Sequence, residues 1–300
     1  MRLAPAVLMV RPACFGYNPE AAVTNVFARQ GLLDVAGAAR REIDRAVEVL
    51  RDAGVRVVLV EDTPDPPKPD AVFPNNWVSF HPDGTVVLYP LAVASRRPER
   101  RSDILRAVRP WHGTTGLVDL SDLEKRGAYL EGTGSLLLDH DARMAWAALS
   151  PRTTRPGLEV FVDRFGYDVV VFEAVLDGAP LYHTNVGMAL GPQLAVLALP
   201  LVTPGAARDA LLASLSGREI LSIGPEQVRD YAGNLLFLAT PAGPAAVMSR
   251  RAEAAFTRAQ LGRLGRRVVL DIDTIETVGG GSARCLLAEI FPASAPAPSR

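Results

Sequence analysis

Cysteine is scarce in this sequence, and its scarcity excludes two common ways of stabilising a fold. The chain has 300 residues but only two cysteines, Cys14 and Cys285, which lie near opposite ends. Two such residues cannot build a disulfide framework, and neither has the Cys/His spacing of a zinc site. The sequence therefore predicts no metal centre, and it predicts a reducing location, the cytoplasm.

An excess of charge of one sign is also absent. Lys plus Arg number 32 and Asp plus Glu number 33, which leaves a formal net charge of −1 at pH 7. A chain with so little net charge has no long-range attraction for nucleic acid or for an anionic membrane surface. We therefore expect neither nucleic acid nor a membrane as a partner.

Long hydrophobic runs are missing as well. No segment approaches the ~18 uninterrupted apolar residues of a membrane-spanning helix. Pro5 and Pro12 interrupt the apolar start of the chain, and no polar cleavage region follows, so a signal peptide is not expected. With 48% hydrophobic residues the chain can bury a large core. We predict a single domain over residues 1–291 and a disordered tail, PASAPAPSR, over residues 292–300.

A repeat of about fifty residues organises the rest of the chain. Five short polar segments each precede an apolar strand: FPNNWVSF, YLEGTGSLLL, LYHTNVGMAL, YAGNLLFL and SARCLLAEIF. The polar residues at equivalent places in these segments are separated by 51 to 55 residues. Regular spacing of this kind is typical of repeat architectures.

Each repeat predicts two strands, an amphipathic helix and a further strand. The clearest hairpin is NVGMAL-GPQ-LAVLAL, in which Gly191 and Pro192 supply the turn. The helix of one later repeat is predicted over residues 251–265. The last repeat lacks a second strand, and the N-terminal strand APAVLMVRP is the partner left over. The predicted fold class is therefore α/β, a five-fold α/β propeller of ββαβ repeats closed by the N-terminal strand.

Such a ring brings the equivalent polar residues of the repeats together near one axis. These residues are Asn76, Glu131, His183, Asn234 and Cys285. Cys, His and a carboxylate are the components of covalent catalysis, because a thiol needs a nearby base or cation to become a thiolate. His183 is suited to general acid and base roles, and Glu131 to orienting the imidazole or the substrate. Taken singly, each residue is as readily explained by a structural role.

Other motifs are weaker. GGGSAR, residues 279–284, has neither the spacing nor the Lys-Ser/Thr of a P-loop, and it lacks the context of a Rossmann fingerprint. His81, His112 and His140 show no ligand spacing and are predicted to be solvated surface residues. Cys14 is predicted to be structural.

The same segments resemble the guanidino-group modifying superfamily, the penteins. PDAVFPNNW, YLEGTGSLLLD, YHTNVGMAL, AGNLLFL and GGGSARCLLAEIF look most like the bacterial citrulline utilization hydrolases. The superfamily also includes arginine deiminases, dimethylarginine hydrolases, amidinotransferases and succinylarginine dihydrolase. The resemblance implies that Cys285 is the nucleophile, His183 the acid and base, and Glu131 the carboxylate of the catalytic triad.

The differences from the deiminases concern charge. Where those enzymes carry Asp after the FPN segment, and often Asp two residues after the catalytic His, this chain has Asn76 and Asn185. Amides suit a neutral ureido group, which presents an acceptor as well as donors. The alternative is that hydrolysis continues past the ureido stage, and the dihydrolases support it, since they resemble this chain in having Asn at the position of Asn76.

The resemblance also implies contacts with the amino-acid end of a substrate. Asp70 matches an Asp that contacts substrate in the dimethylarginine hydrolases, and Asn25 corresponds to an Asn of the arginine dihydrolases. An α-carboxylate is best bound by an arginine, for which Arg284, Arg11 and Arg97 are the candidates.

The expected function is cysteine-dependent hydrolysis of a citrulline-like amino acid to an ornithine-like product through an S-carbamoyl cysteine. Arginine dihydrolase or deiminase activity, amidino transfer and a non-catalytic binding role remain open alternatives. The partner is a small-molecule amino acid, no cofactor is implied, and oligomerisation is left open.

Overall fold

The computed structural model describes residues 1–30 and 34–292. The predicted tail, apart from Pro292, lies outside the described residues. The strands are β1 (Ala6–Arg11), β2 (Arg56–Glu61), β3 (Val78–Phe80), β4 (Thr85–Leu88), β5 (Gly116–Asp119), β6 (Leu137–Asp139), β7 (Met144–Ala148), β8 (Asp168–Phe172), β9 (Val175–Leu176), β10 (Ala179–Pro180), β11 (Met188–Leu190), β12 (Leu194–Leu197), β13 (Glu219–Ser222), β14 (Leu236–Thr240), β15 (Gly243–Ser249), β16 (Arg267–Leu270) and β17 (Ala288–Ile290).

Helices and short 3₁₀ turns occupy much of the remaining chain. The α-helices are α1 (Pro19–Ala22), α2 (Val35–Asp52), α3 (Ser102–His112), α4 (Gly132–Ser135), α5 (Arg155–Phe165), α6 (Thr184–Gly187), α7 (Ala206–Ser214), α8 (Pro225–Arg229), α9 (Arg250–Ala255), α10 (Arg258–Leu264) and α11 (Asp273–Gly279). The 3₁₀ turns are Pro74–Asn76, Ala94–Glu99, Ser121–Arg126, Leu199–Leu201 and Ala283–Leu286.

The predicted strand, strand, helix, strand order recurs along the chain. In three sheets an antiparallel hairpin pairs in parallel with a third strand: β6-β7-β8, β11-β12-β13 and β14-β15-β16. The set β3-β4-β5 has the same pairing. A helix lies between the second and third strand of each set, as the sequence predicts. The Gly191 turn is also confirmed, since Gly191 N donates to Leu194 O at 2.7 Å.

The two ends of the chain complete a further set. β1 pairs antiparallel with β17 and parallel with β2, so the N-terminal strand is the partner that the last repeat lacks. A single pair, Ile290 with Phe80, joins β17 to β3 and gives one six-stranded sheet. Two of the five predicted units therefore share a sheet, and strand pairing alone does not establish a five-fold ring.

The structure divides one predicted helix into two separate helices, α9 and α10. The apolar periodicity of residues 251–265 suggested a continuous helix, but α9 ends before Phe256, whose backbone is extended. Thr257 then begins α10, since its hydroxyl accepts a hydrogen bond from Gln260 N, and the Gln260 side chain accepts one from Thr257 N. A capping box of this kind stabilises a new helix start, which the periodicity does not reveal.

The long helix α2 shows how the core is built. Its buried residues Ala39, Ile43, Ala46, Val47 and Leu50 recur at the spacing of one helical face. They belong to the same apolar cluster as β1 and the residues around Cys285. Burial of each large aliphatic side chain contributes about 1.5–3 kcal/mol. The helix thereby supports the turn that contains Cys285, together with Leu286 and Leu287.

Two broad absences hold for residues 1–30 and 34–292. No helix there is both long and apolar enough to cross a lipid bilayer. No group of three or more His, Cys, Asp or Glu side chains there has an arrangement that would bind a metal ion.

The histidines outside the central segments differ from the prediction. His81 and His112 are buried, and His140 is half-buried, whereas the sequence suggested solvated residues. His140 Nδ1 lies 2.7 Å from the Tyr167 hydroxyl, and His112 Nε2 donates to His81 O at 2.8 Å. The rings of His81 and His140 are 4.9 Å apart. They line an open cleft of about 500 Å³ at the ends of β3 and β6 that face away from Asn76 and Glu131.

This cluster predicts sensitivity of the fold to acid. Burial lowers the pKa of His81 to about 4, although Asp83 opposes the shift. Because unfolded His binds a proton near pH ~6.5, the stability that depends on a neutral His81 is complete above that pH and is lost as the pH falls towards 4. Between about pH 7 and about pH 4.5, we expect the native protein to lose about 2 kcal/mol more stability than the His81→Phe variant.

Urea unfolding at the two pH values measures this difference. Equal losses in the two proteins would show that His81 protonation does not contribute to acid unfolding.

Candidate active site

The short segments that the repeats place before their first strands carry the candidate catalytic groups. Glu131 immediately precedes α4, His183 immediately precedes α6, and Cys285 lies in the 3₁₀ turn Ala283–Leu286 before β17. All three are buried. Each stands before the first strand of its repeat, and the three side chains meet in one region, where His183 contacts Glu131 and shares a cavity with Cys285.

Glu131 and His183 form a direct contact. His183 Nε2 lies 2.8 Å from Glu131 Oε2. Burial alone would raise the pKa of Glu131, but Arg152 and the hydrogen bond from His183 lower it to about 2. The carboxylate is therefore ionised at neutral pH, so Nε2 carries the proton and donates it in the hydrogen bond. The other ring nitrogen, Nδ1, is left with its lone pair.

Cations and a backbone amide hold the Glu131 carboxylate in place. Arg152 Nη1 donates to Oε2 at 3.4 Å, and Arg96 Nη1 lies 4.0 Å from the same oxygen. Ala92 N donates to Oε1 at 3.0 Å. A fully buried carboxylate is costly unless it is paired and hydrogen bonded, and these groups meet that condition.

The Cys285 thiol is buried and close to two amides. Asn234 Nδ2 lies 3.3 Å from Sγ, and Asn185 Nδ2 lies 3.9 Å from it. Burial raises the pKa of the thiol, although hydrogen bonds from the Ser282 backbone and the Asn234 side chain oppose the shift. Burial likewise lowers the pKa of His183 to about 4, against the opposing effect of Glu131. The resting pair is thus a neutral thiol and a neutral imidazole.

A neutral imidazole with a free lone pair can act as a general base. His183 Nδ1 is available to take the thiol proton, and the resulting imidazolium can then protonate a leaving amine. The site therefore has the components of covalent catalysis at a carbon bonded to nitrogen.

Gly134 allows these groups to approach one another. A Cβ at this position would lie 2.8 Å from His183 Nδ1 and 2.6 Å from Asn76 Nδ2. Both distances are shorter than ordinary contacts, so any larger residue would displace one of the two side chains. Gly280, with φ of +64°, is similarly required, since its Cβ would lie 2.6 Å from Asn25 Nδ2.

The cavity beside the thiol is almost closed. Its volume is about 10 Å³, which is room for about one water molecule. The side chains and glycines that line it are Ala21, Asn25, Asp70, Phe73, Asn76, Arg96, Arg152, Tyr182, His183, Gly279, Gly280, Gly281 and Cys285. A substrate larger than water therefore requires one wall to move.

One wall is a cover formed by residues 18–25. Glu20 accepts hydrogen bonds from Ala94 N at 2.7 Å and Ser95 N at 2.9 Å. Arg152 donates to Thr24 Oγ1 at 2.8 Å and to Ala21 O at 2.7 Å. Glu20 thus holds the cover at its outer edge, and Arg152 holds it from the cavity side.

Most of the predicted site residues lie at this cavity. Asn25, Asp70 and Asn76 line it together with His183 and Cys285. Asn25 Nδ2 donates to the carbonyl oxygens of Gly279 and Gly280. Asn18 Nδ2 donates to Asp70 Oδ2 at 2.8 Å. Glu131 lies behind His183.

Arg284 was one of three arginines predicted to bind a substrate carboxylate, but in the structure its side chain does not line the cavity. Its guanidinium donates to Leu287 O at 2.8 Å and pairs with Glu289 at 2.6 Å. In a tight turn, consecutive side chains point in different directions, so adjacency to the thiol does not place Arg284 in the cavity.

The sequence analysis missed the arginines that do line the cavity, Arg96 and Arg152. Arg96 is held by Glu99 through two hydrogen bonds of 2.9 and 2.8 Å. Arg152 packs over the Tyr182 ring, with Cζ 5.2 Å from its centroid. Nothing in the local sequence distinguishes either residue from the many other arginines of the chain. Asn234, by contrast, stood at an equivalent position of the repeat.

The family match and the similar solved structures place the chain in the guanidino-group modifying superfamily. Residues 11–292 match the family described as N,N dimethylarginine dimethylhydrolase, eukaryotic, and the chain belongs to that family. A comparison with curated proteins found no match.

Solved structures show the same fold. The N-terminal domain of ArgZ bound to substrate, an arginine dihydrolase from the ornithine-ammonia cycle in Cyanobacteria, matches with a TM-score of 0.73 and 17% identity, covering 96% of this chain and 98% of that chain. Apo ArgZ matches with a TM-score of 0.73 and 18% identity, over 97% of this chain and 41% of that chain. A dimethylarginine dimethylaminohydrolase adduct with S-methyl-L-thiocitrulline gives a TM-score of 0.67 and 16% identity, over 96% and 100%.

The hydrogen bonds that hold the cover in place should restrict the access of reagents to the Cys285 thiol. Replacing Glu20 by Gln removes the charge that strengthens both hydrogen bonds at the rim. We expect the Glu20→Gln variant to react with iodoacetamide at Cys285 several times faster than the native chain, since open states are more populated. A Cys14→Ser background confines the measurement to Cys285.

The Glu226→Gln variant is the matched control, because Glu226 is an exposed glutamate whose side chain pairs with Arg229 instead. An unchanged rate in the Glu20→Gln variant would show that these hydrogen bonds do not limit access.

Proposed function

We propose that the protein is a cysteine-dependent hydrolase of an amino acid that bears a guanidino or ureido group, and that its preferred reaction converts citrulline to ornithine, carbon dioxide and ammonia. Membership of the dimethylarginine hydrolase family supports hydrolysis of the carbon-nitrogen bonds of such a group. The Cys285, His183 and Glu131 geometry supports a covalent route.

The orientation of the Asn76 and Asn185 amides is the observation that favours citrulline as the substrate. Asn76 Oδ1 accepts from Arg96 Nη1 at 2.7 Å, so its carbonyl is occupied and its Nδ2 lies towards the point that Gly134 leaves open. Asn185 Oδ1 is likewise close to Asn234 Nδ2, at 3.3 Å. One hydrogen of Asn76 Nδ2 is donated to Asn75 Oδ1 and one of Asn185 Nδ2 to Thr133 O, so each amide has one N–H left to offer. A ureido oxygen accepts such donors, whereas a guanidinium presents donors only.

The charged residues of the cavity suit the other end of the amino acid. Arg96 and Arg152 would bind the α-carboxylate, for which a guanidinium is the preferred partner. Asp70 would receive the α-ammonium group. Its pKa is raised by burial, although Arg96 opposes the shift, and an arriving ammonium would stabilise its charged form. Asn25 would contact the substrate from the cover.

The mechanism follows from the resting protonation states. As Sγ attacks the ureido carbon, the Cys285 proton passes to His183 Nδ1 across the cavity that both residues line, and His183 donates it to the departing δ-amine of ornithine. An S-carbamoyl cysteine remains. His183 then removes a proton from water, which attacks the carbamoyl carbon, and the thiol is restored as carbamate leaves. Carbamate decomposes to carbon dioxide and ammonia.

Arginine dihydrolysis is the second candidate. The buried carboxylates of Asp70 and Glu131 lie near the cavity and would offset the charge of a guanidinium. A dihydrolase also forms a ureido group in its first stage, which the same amide donors would bind in the second. A deiminase would stop at citrulline, and an amidinotransferase would pass its amidino group to an amine.

We also infer that the five repeats surround one axis. Contacts between side chains of different repeats support this ring: Glu131 with His183, and Asn234 with both Asn185 and Cys285. A closed ring accounts for their convergence within one cavity.

Product analysis tests the reaction. Purified protein is incubated separately with citrulline and with arginine, and ornithine, citrulline and ammonia are measured. We expect ornithine and ammonia from citrulline, and no turnover by the Cys285→Ser variant, which should retain the native melting temperature. Accumulation of citrulline from arginine would contradict the proposal, and transfer to an added amine would identify an amidinotransferase.

If the Asn76 amide selects citrulline, its replacement should weaken the preference of the enzyme for citrulline over arginine. Replacing Asn76 by Asp removes the N–H donors and introduces a carboxylate near Arg96. We expect the ratio of kcat/KM for citrulline to kcat/KM for arginine to fall at least about tenfold, since one charge-assisted hydrogen bond is worth ~1.5 kcal/mol or more. The ratio is its own control, because a general loss of folded enzyme lowers both values equally. An unchanged ratio would remove Asn76 from substrate discrimination.

A further inference from the structure

The Cys285 sulfur has a partner that the proposed mechanism does not use. Among the described residues, the side chains within hydrogen-bond reach of Sγ are Asn234, with Nδ2 at 3.3 Å, and Asn185, with Nδ2 at 3.9 Å. His183 is not among them; its Nε2 is bound to Glu131. The sulfur is therefore in contact with amides rather than with an imidazolium.

The orientation of the Asn234 amide is fixed at both ends. Arg284 N donates to Oδ1 at 3.1 Å, and Nδ2 donates to Asn185 O at 2.9 Å. Exchanging the nitrogen and oxygen would set Oδ1 against the Asn185 carbonyl and Nδ2 against the Arg284 N–H, and both hydrogen bonds would be lost. The second hydrogen of Nδ2 therefore lies between Sγ and Asn185 Oδ1, which are both 3.3 Å from Nδ2, and the charge of a thiolate would draw it to the sulfur.

Asn185 is less suited to the same task. Its Nδ2 lies 3.3 Å from Thr133 O and is more distant from the sulfur, at 3.9 Å. Asn234 also has the firmer link to the nucleophile, because the N–H that orients it belongs to Arg284, the residue immediately before Cys285.

We propose that Asn234 is a catalytic residue whose Nδ2–H donates to Cys285 Sγ and stabilises the thiolate during attack. A hydrogen bond to an ionised acceptor is stronger than one to a neutral acceptor, so this donor favours the thiolate over the thiol. Asn234 is 1% exposed, and water does not compete for the sulfur from that side. The inference rests on the proposed function only for the role of Cys285 as nucleophile.

The test is the thiol pKa, measured without substrate. Thiolate ultraviolet absorbance is followed against pH, and the trace of the corresponding Cys285→Ser protein is subtracted. We expect the Asn234→Leu variant, which is similar in size but has no donor, to raise the pKa of Cys285 by about one unit. At a fixed pH below that pKa, the thiolate fraction then falls about tenfold.

Asn76→Leu is the matched control. It makes the same substitution at another amide of the same cavity, but Asn76 contacts Arg96 and Asn75 rather than the sulfur. Its thiol pKa should equal that of the native protein even though substrate binding is impaired. A merely structural effect of losing a buried amide would move both variants alike.

Turnover gives a second measurement. With whichever substrate the product analysis identifies, Asn234→Leu should lower kcat about tenfold or more at neutral pH with little change in KM, and raising the pH should recover part of the loss. If Asn234→Leu does not fold, Asn234→Asp replaces it, since a carboxylate also lacks the N–H and should raise the thiol pKa further.

An unchanged thiol pKa in the Asn234 variants would overturn the inference. Because this titration needs no substrate, a shifted pKa together with inactivity on citrulline would refute the proposed reaction while leaving the role of Asn234 intact.

Discussion

The buried carboxylate of Glu131 is the constraint on which the site depends. A charge without access to water is tolerated only when partners replace its hydration. Here those partners are Arg152, Arg96, His183 and the Ala92 amide. They come from three parts of the chain, since Ala92 and Arg96 lie in one segment and Arg152 and His183 in two others. The repeats must therefore be assembled correctly before the carboxylate is satisfied, and the site and the fold are specified together.

Several functional properties follow from that one ionised group. It fixes the proton of His183 on Nε2 and leaves Nδ1 as a base. Through Arg152 it also reaches the cover, since the same guanidinium that pairs with Glu131 donates to Thr24 and Ala21. A substrate carboxylate that competes for Arg152 would loosen the cover from inside.

The sequence predicted the repeat, the strand and helix order and the candidate triad because these are carried by local patterns with a regular spacing. Arg96 and Arg152 were not predicted, because their importance depends on where long side chains reach after folding. The burial of His81 was missed for a related reason, since its ring packs against His140 and Phe165 of the next repeat. His112 is buried within its own repeat, where its ring packs against Phe80. The break before Thr257 depends on a capping pair that apolar periodicity cannot distinguish from continuous helix. The sequence did not rank Arg284 against the other candidate arginines, because the direction of a side chain in a tight turn is set by the folded backbone.

Detection of the covalent intermediate on Cys285 is the most direct test of the proposed reaction. Protein mixed with citrulline is quenched in acid within the first turnovers, and the peptide that contains Cys285 is analysed by mass spectrometry. The proposed mechanism predicts that the mass of this peptide increases by one carbamoyl group on Cys285. The Cys285→Ser variant should show no such increase. Turnover of citrulline without any adduct on this residue, or with an adduct elsewhere in the chain, would contradict it.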